Sequence, residues 1–458
     1  MFILYAPFKN FGVVPPRTAL FTPSILFTDN LASTHSRYWR DFAVTKGVLD
    51  ITPKSLLKLQ KKRFYKDVLF IVLGGIGDIL WSLPVIKAFK LKYPQCRITL
   101  HVSKEYFSLL LNNPFIHQFT FLPPQYVPLM FHIFDEILDF GGAVVGHSEE
   151  KVKHAVDLYF ERARLPLPLK TEDRASKIFL NDVEKALVFS FLKTKNIDPL
   201  RDPIAVLNTE SSAPIRTYPP ARTRIIALAL AKKGFKVFLV GRSKAVLDID
   251  TFFCACGFEF TIRTQKNFPS LTFQCPNCGK MNKVDIGTTH PNLIPLVGTT
   301  DFRFCTCLIH QSDIFIGPDS GLLHIAAASS VPSVGLYGPI PAHLRTKYYE
   351  KHATIEGRCP KKRCFMHKPV CPISDPSPCL LDITPDLVIK TSLSLYEKFK
   401  GDKFKKWSGI EKLLKDPKLL KLGNDFSRIF SEKALTSAVD PIKLVNQRLG
   451  LTGSPARE

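Results

Sequence analysis

Two glycine- and acid-bearing turns carry the residue types that could do chemistry. In the first, Gly74-Gly75-Ile76-Gly77-Asp78 joins an apolar run to an amphipathic one. Glycines there let a ligand approach the backbone, and a helix N-terminus offers partial positive charge. Asp78 reads in two ways. It is either a first-turn acid complementing the helix dipole or a carboxylate at a strand's C-terminal edge, aimed into a cleft as a general base. The turn is not GxGxxG and lacks the Lys-Ser/Thr of a P-loop, so it satisfies neither a dinucleotide nor an NTP motif. The second turn, Ile316-Gly317-Pro318-Asp319-Ser320-Gly321-Leu322-Leu323-His324, repeats the arrangement with a helix opening near Ser320. Free amides and a hydroxyl at such a start suit a diphosphate. The other reading is a plain Asp/Ser cap followed by a core-facing His324.

Ten of the eleven cysteines lie between Cys254 and Cys379. Cys254-Ala255-Cys256-Gly257 and Cys275-Pro276-Asn277-Cys278-Gly279 have the form of zinc-ribbon knuckles. Four thiolates close a tetrahedral Zn²⁺ site, and the trailing glycines permit the tight turns. Phe258–Arg263 and Leu271–Phe273 then read as hairpin strands. A ribbon this small forms no core of its own, so a structural zinc would hold it together; free thiols are the alternative. The spacing of Cys359, Cys364, Cys371 and Cys379 is less diagnostic and leaves zinc, a disulfide and buried thiols all open.

The elements that position the turns follow from hydrophobic periodicity. Val68–Leu73 reads as a buried strand, Ile79–Lys92 as a helix, Arg97–Val102 as a strand, Tyr106–Leu111 as a helix and Gln118–Leu122 as a strand. Lys193–Pro203 reads as a linker, after which the rhythm restarts. Strands are expected at Ile204–Leu207, Lys236–Val240, Ile314–Ile316 and Ser333–Tyr337, with helices at Arg224–Lys233 and Gly321–Ser329. This is the βαβ rhythm of doubly wound α/β domains, and two such halves imply a ligand in the cleft between them. The expected organisation is a basic extension (1–66), a first Rossmann-like domain (67–196), a second Rossmann-like domain (197–395) with the ribbon inserted at 252–284, and a basic helical tail (396–458).

The chain has 458 residues, 45% hydrophobic and 22% charged, which excludes wholesale disorder, collagen-like repeats and a disulfide mini-scaffold. Sixty-three Lys and Arg against 40 Asp and Glu give a net charge of +23. That excess points to an anionic partner: nucleic acid, a membrane surface or a phosphorylated substrate. No run of apolar residues is long enough to span a bilayer, and the N-terminus lacks the basic region of a signal peptide, so a cytoplasmic protein is expected.

Taken in order, several stretches resemble the family 9 glycosyltransferases, which include the ADP-heptose:lipopolysaccharide heptosyltransferases. They are the Gly74–Leu80 turn with Leu83-Pro84, the run His154–Tyr159, and Asp319-Ser320-Gly321 through His324 to Leu336-Tyr337-Gly338-Pro339. The resemblance covers about residues 67–395. It implies a GT-B fold and an inverting transfer that needs no metal, with Asp78 as base on the acceptor hydroxyl. It further implies a nucleotide-sugar donor, ADP-linked in the best-known members, and a lipopolysaccharide or other glycan or lipid-linked acceptor. Arg216-Thr217-Tyr218-Pro219 matches the family's basic residue before a Trp-Pro-like pair, so Arg216 is assigned to the donor phosphates. Gly75, Gly77, Ser211, Ser212, Asp319, Ser320, Gly321 and His324 join it around the donor. The chain departs from the family at Gly241-Arg242-Ser243, where an acidic strand end is usual, at Asp301–Cys307, in the cysteine insertion and in both extensions. Peripheral contact with an anionic inner-membrane surface is compatible with the charge. The alternative function is a nucleic-acid-associated zinc-ribbon protein, including a glycosyltransferase acting on DNA bases; a degenerate scaffold is disfavoured by the joint presence of Asp78, Arg216 and the Asp319–His324 run.

Overall fold

The computed structural model describes residues 67–120, 134–141, 153–242, 290–359 and 371–402 with single-residue gaps. It also describes Cys256, residues 274–281, Cys364 and Trp407, and the backbone of strands within 2–51 and 249–285. Near the N-terminus, β1 (Phe2–Tyr5), β2 (Thr18–Phe21), β3 (Ile25–Thr28) and β4 (Leu49–Ile51) form an antiparallel sheet in the order β2-β3-β1-β4.

Two parallel sheets follow. The first comprises β5 (Asp67–Ile71), β6 (Arg97–His101), β7 (Gln118–Thr120) and β8 (Glu136–Asp139), ordered β7-β6-β5-β8. The second comprises β9 (Ile204–Asn208), β10 (Lys236–Val240), β15 (Leu293–Pro295), β16 (Ile314–Pro318), β17 (Ser333–Tyr337) and β18 (His352–Glu356). Its order, β15-β10-β9-β16-β17-β18, is that of a doubly wound dinucleotide-type sheet. The central strands are continuous apolar runs because both their faces are covered: Val68, Leu69, Phe70, Ala205, Val206, Phe315 and Val334 are fully buried. In each sheet the strand order reverses beside the first strand, between β5 and β8 and between β9 and β16. Ligands of such sheets bind beyond the strand C-termini at those points, and both glycine turns leave a strand there.

Helix α1 (Ile76–Lys92) leaves β5, and α2 (Ala155–Arg162) and α3 (Asp182–Thr194) complete the first half. Pro84 inside α1 removes the amide that would bond to the Leu80 carbonyl. The Ser176 hydroxyl donates to that carbonyl instead, at 2.5 Å. In the second half, α4 (Pro220–Lys232), α5 (Phe302–Gln311), α6 (Gly321–Ala328), the short α7 (His343–Thr346) and α8 (Pro378–Leu381), and α9 (Pro385–Phe399) cover the six-stranded sheet. A buried fork joins α3 to α5: Arg303 donates to Glu184 through Nε at 2.7 Å and through Nη2 at 2.9 Å.

Three expectations shift. Tyr106–Leu111 contains a single 3-10 turn, Phe107–Leu110, rather than an α-helix. The linker expected from Lys193 begins later, because α3 runs to Thr194. Of the departure at Asp301–Cys307, the residues from Phe302 on open α5, in which Cys305 and Cys307 are buried. Between β10 and β15 stand two antiparallel hairpins. One pairs β11 (Ile249–Phe253) with β12 (Glu259–Arg263), and the other pairs β13 (Ser270–Gln274) with β14 (Met281–Asp285). The expected tail beyond 407 lies outside the described residues.

Candidate active site

Asp78 is the third residue of α1. Its Oδ2 accepts the Gly75 amide at 2.9 Å, the half of a capping box that a glycine N-cap allows. Its Oδ1 accepts from the Tyr159 hydroxyl at 3.2 Å. Burial, and then the Asp78 charge, push the Tyr159 phenol well above its ordinary range, so it remains a donor. Asp78 therefore does take the first-turn role, and both its oxygens are fixed at the C-terminal edge of β5. Gly74 is required here, since a Cβ on it would lie 2.3 Å from Asp78 Oδ2.

In the second turn the Asp319 side chain is 3% exposed, and its Oδ2 accepts from Arg216 Nη1 at 3.1 Å. Arg216 Nη2 donates to Ser212 Oγ at 2.9 Å, and Ser211 Oγ donates to the Asp319 carbonyl at 2.7 Å. Asn208, at the end of β9, donates to Ser320 Oγ at 2.8 Å. Burial alone would raise the Asp319 carboxyl; the charges of Arg216 and Arg345, with the Arg216 hydrogen bond, outweigh it and leave its pKa lowered. His324 Nε2 lies 3.7 Å from Asp319 Oδ1, yet burial pushes the imidazole down to about 3, so it is neutral near pH 7. No side chain caps α6 at Ser320, which leaves its first amides for a ligand. The serines and Arg216, expected around the donor, thus brace one another and the turn.

The two turns meet. A Cβ on Gly77 would be 3.0 Å from His324 Cδ2, and one on Gly321 would be 2.4 Å from Ile76 Cδ1. Trp81, one helical turn beyond Gly77, packs edge-on against His324 with centroids 4.7 Å apart. Tyr349 joins both, its hydroxyl 2.5 Å from His324 Nδ1 and accepting from Trp81 Nε1 at 3.4 Å. Asp157 of α2, itself buried, accepts from Tyr348 at 2.5 Å and from Lys347 at 3.3 Å. Trp81, Tyr159, Arg345, Tyr348 and Tyr349 were given no role in the sequence; for the last three the signal is the crowding of aromatic and basic residues just after Gly338-Pro339. An acid also stands at the end of β10, where the sequence lacks one: Glu210, from the loop after β9, accepts the Arg242 amide.

Among the described residues, Cys256, Cys275 and Cys278 bring their sulfurs within 4.8 Å of one another. Cys275 and Cys278 sit in a tight turn in which the Gly279 amide donates to the Cys275 carbonyl at 2.8 Å, with Gly279 at φ +70°. Cys254 lies outside the described residues. Of the second cysteine set, Cys379 is buried and Cys359, Cys364 and Cys371 are partly exposed. Burial, then the nearby Cys359, Cys371 and Cys364, push the Cys379 thiol up to about 11.

Residues 283–370 match the model of Glycosyltransferase family 9 (heptosyltransferase), a stretch containing the Asp319–His324 turn but not Asp78. The chain is 23% identical over 290 residues to Lipopolysaccharide heptosyltransferase 3 of Escherichia coli, covering 57% of this chain and 80% of that protein. Among solved structures, E. coli ADP-heptose LPS heptosyltransferase II superposes with a TM-score of 0.52 at 18% identity, over 73% of this chain and 99% of that one. A family 9 glycosyltransferase from Veillonella parvula gives 0.53 at 15% identity, over 73% and 98%. With its two facing parallel sheets and these likenesses, the chain is a glycosyltransferase of the GT-B fold, similar to the family 9 heptosyltransferases.

Proposed function

We propose that the protein transfers a sugar, with inversion, from a nucleotide-diphosphate sugar to an acceptor hydroxyl. The reading rests on one observation: the Asp78 turn of the first half and the Asp319 turn of the second are in contact, through Gly77 with His324 and Ile76 with Gly321. That contact sets a carboxylate beside an uncapped helix start. Asp78 takes the acceptor hydroxyl proton, the acceptor oxygen bonds to the anomeric carbon from the opposite face, and the bond to the β-phosphate oxygen breaks. The departing diphosphate gathers charge, which the amides opening α6 and Arg216 stabilise. Arg216 serves this role while holding Asp319, whose lone carboxylate balances only part of the local positive charge. The heptosyltransferase relatives favour ADP-heptose as donor and a lipopolysaccharide core as acceptor.

A structural zinc is proposed at Cys254, Cys256, Cys275 and Cys278. The three described sulfurs fit a tetrahedral thiolate set, and the metal would close the two hairpins into one module. Among the described residues no helix is long and apolar enough to cross a membrane.

The direct test is a thermal-shift screen with ADP-, GDP-, UDP- and dTDP-sugars, because a donor that binds only the folded chain raises its melting temperature by mass action. A rise with one nucleotide class, together with transfer lost in Asp78→Asn, supports the reading. No shift with any donor overturns it.

A further inference from the structure

Arg345 is unaccounted for by the reaction as described. It lies on α7, after the Gly338-Pro339 loop, and only 6% of it is exposed. The neighbouring cations Arg216, Lys347 and Arg303 each have a carboxylate partner, in Asp319, Asp157 and Glu184. Arg345 has none. Among the described residues no carboxylate lies within ion-pair distance of it, and its Nη1 is buried without any hydrogen-bond acceptor. Its guanidinium stacks on Trp81 at 5.1 Å from the ring centroid, and Trp81 packs in turn on His324. A buried cation is costly unless an anion compensates it, and stacking on an indole returns only part of that cost.

The charge balance around the second turn shows what is missing. Asp319 is already paired with Arg216, so the second turn has no carboxylate left over for Arg345. Stacking on Trp81 of α1, which packs on His324 of α6, sets Arg345 where the two turns meet.

We infer that Arg345 is a second cation for the diphosphate of the donor, reaching it from the domain seam while Arg216 is held by Asp319. The inference rests on the transferase reading above and adds a residue to its donor site. A planar fork bonded to a phosphate is worth at least tenfold in affinity. Its second effect follows from Trp81. Because Arg345 stacks on Trp81 of α1, it links the donor site to the helix that carries Asp78.

The test measures binding of ADP, GDP, UDP and dTDP to the full chain by calorimetry, with adenosine, guanosine, uridine and thymidine as controls. Arg345→Gln should weaken the diphosphate that wild type prefers by roughly tenfold or more and leave its nucleoside unchanged. An affinity within twofold of wild type, with only a lowered melting temperature, assigns Arg345 to packing and overturns the inference. If Arg345→Gln does not fold, Arg345→Lys is read in its place: it keeps the charge but loses the fork, so a loss of at least about threefold supports the inference and no loss overturns it. Absence of any diphosphate binding by wild type overturns the donor reading itself, and retained binding in Arg345→Gln overturns only the role of Arg345.

Discussion

Removing Arg216 should expose how the second turn is held. Arg216→Ala leaves the Asp319 carboxylate, 3% exposed, without the partner that now stands 3.1 Å away. At that separation and an effective dielectric near 20, the lost attraction is about 5 kcal/mol. Arg216 is itself 15% exposed, and His324, 3.7 Å from Asp319, can take up a proton in the variant, so the net loss is smaller. Breaking one side of a buried pair costs about 3–5 kcal/mol, and the lower end is expected here. For a half of this size that corresponds to a fall of roughly 6–12 °C in melting temperature. The pH dependence has a definite sign. In wild type the lowered Asp319 pKa contributes stability above the usual carboxyl range that is lost as pH falls through the folded value. In Arg216→Ala burial acts unopposed by the guanidinium, Asp319 takes its proton at higher pH, and the gap between the two proteins narrows on acidification. Arg216→Ala/Asp319→Asn should recover at least half the loss, because the uncompensated charge is gone. Scanning fluorimetry at pH 7.5 and 5 on wild type, Arg216→Ala, Asp319→Asn and the double variant measures all of this. A shift under 2 °C for Arg216→Ala, or strict additivity in the double variant, would show that the pair does not hold the turn.

Four further outcomes are expected. Asp78→Asn should lower turnover by roughly a hundredfold or more while leaving nucleotide binding nearly intact, as read by product assay and calorimetry; retention of most of the rate removes Asp78 as base. Burial holds His324 neutral with its pKa pushed down to about 3, and His154 and His352 down to about 4. The unfolded chain binds these protons first, near pH 6.5, so melting temperature should fall progressively as pH drops from about 6.5 toward 4; a flat profile from pH 7 to 5 contradicts it. Gly321→Ala would place a Cβ against Ile76 and should cost about 1–3 kcal/mol while slowing transfer, with partial rescue by Ile76→Ala. Metal analysis should find zinc that is lost on chelation and in Cys275→Ser, and protection of the β11–β14 hairpins from proteolysis should disappear with it.

What could be read from the chain depended on whether a residue's neighbours are local. β5, β6, β9, β10, β16 and β17 stand out as apolar runs because strands buried on both faces need no alternation to reveal them. The hairpins around the cysteine knuckles were legible for the same local reason, as turn chemistry. Helix α3 was passed over although Asn181 and Glu184 form a reciprocal capping box there, a signal fully present in four residues. Strand β18 was missed because His352–Glu356 is only partly buried at the edge of its sheet. The active-site residues divide likewise. Asp78 and the Asp319–His324 run lie in turns with their own sequence form. Tyr159 touches Asp78 across 81 positions, and Tyr349 reaches Trp81 across 268. Such partners are set by how the two halves close, which no local pattern encodes.

The same geometry narrows the meaning of the net charge. At the seam between the halves the described cations are few, and nearly all are answered: Arg216 by Asp319, Lys347 by Asp157, Arg303 by Glu184. Buried Arg345 has no carboxylate partner among the described residues, and one diphosphate would more than balance it. The reaction therefore requires only a small part of the +23. More than half of that excess falls in residues 1–66 and 401–458, sequence that holds neither glycine turn. Exposed charges are screened within about 10 Å at ordinary salt, and buried ones much less. Salt should thus separate the two functions. Raising ionic strength should weaken encounter with an anionic acceptor far more than it weakens binding of the nucleotide at a seam where Asp319 and Arg345 are both buried.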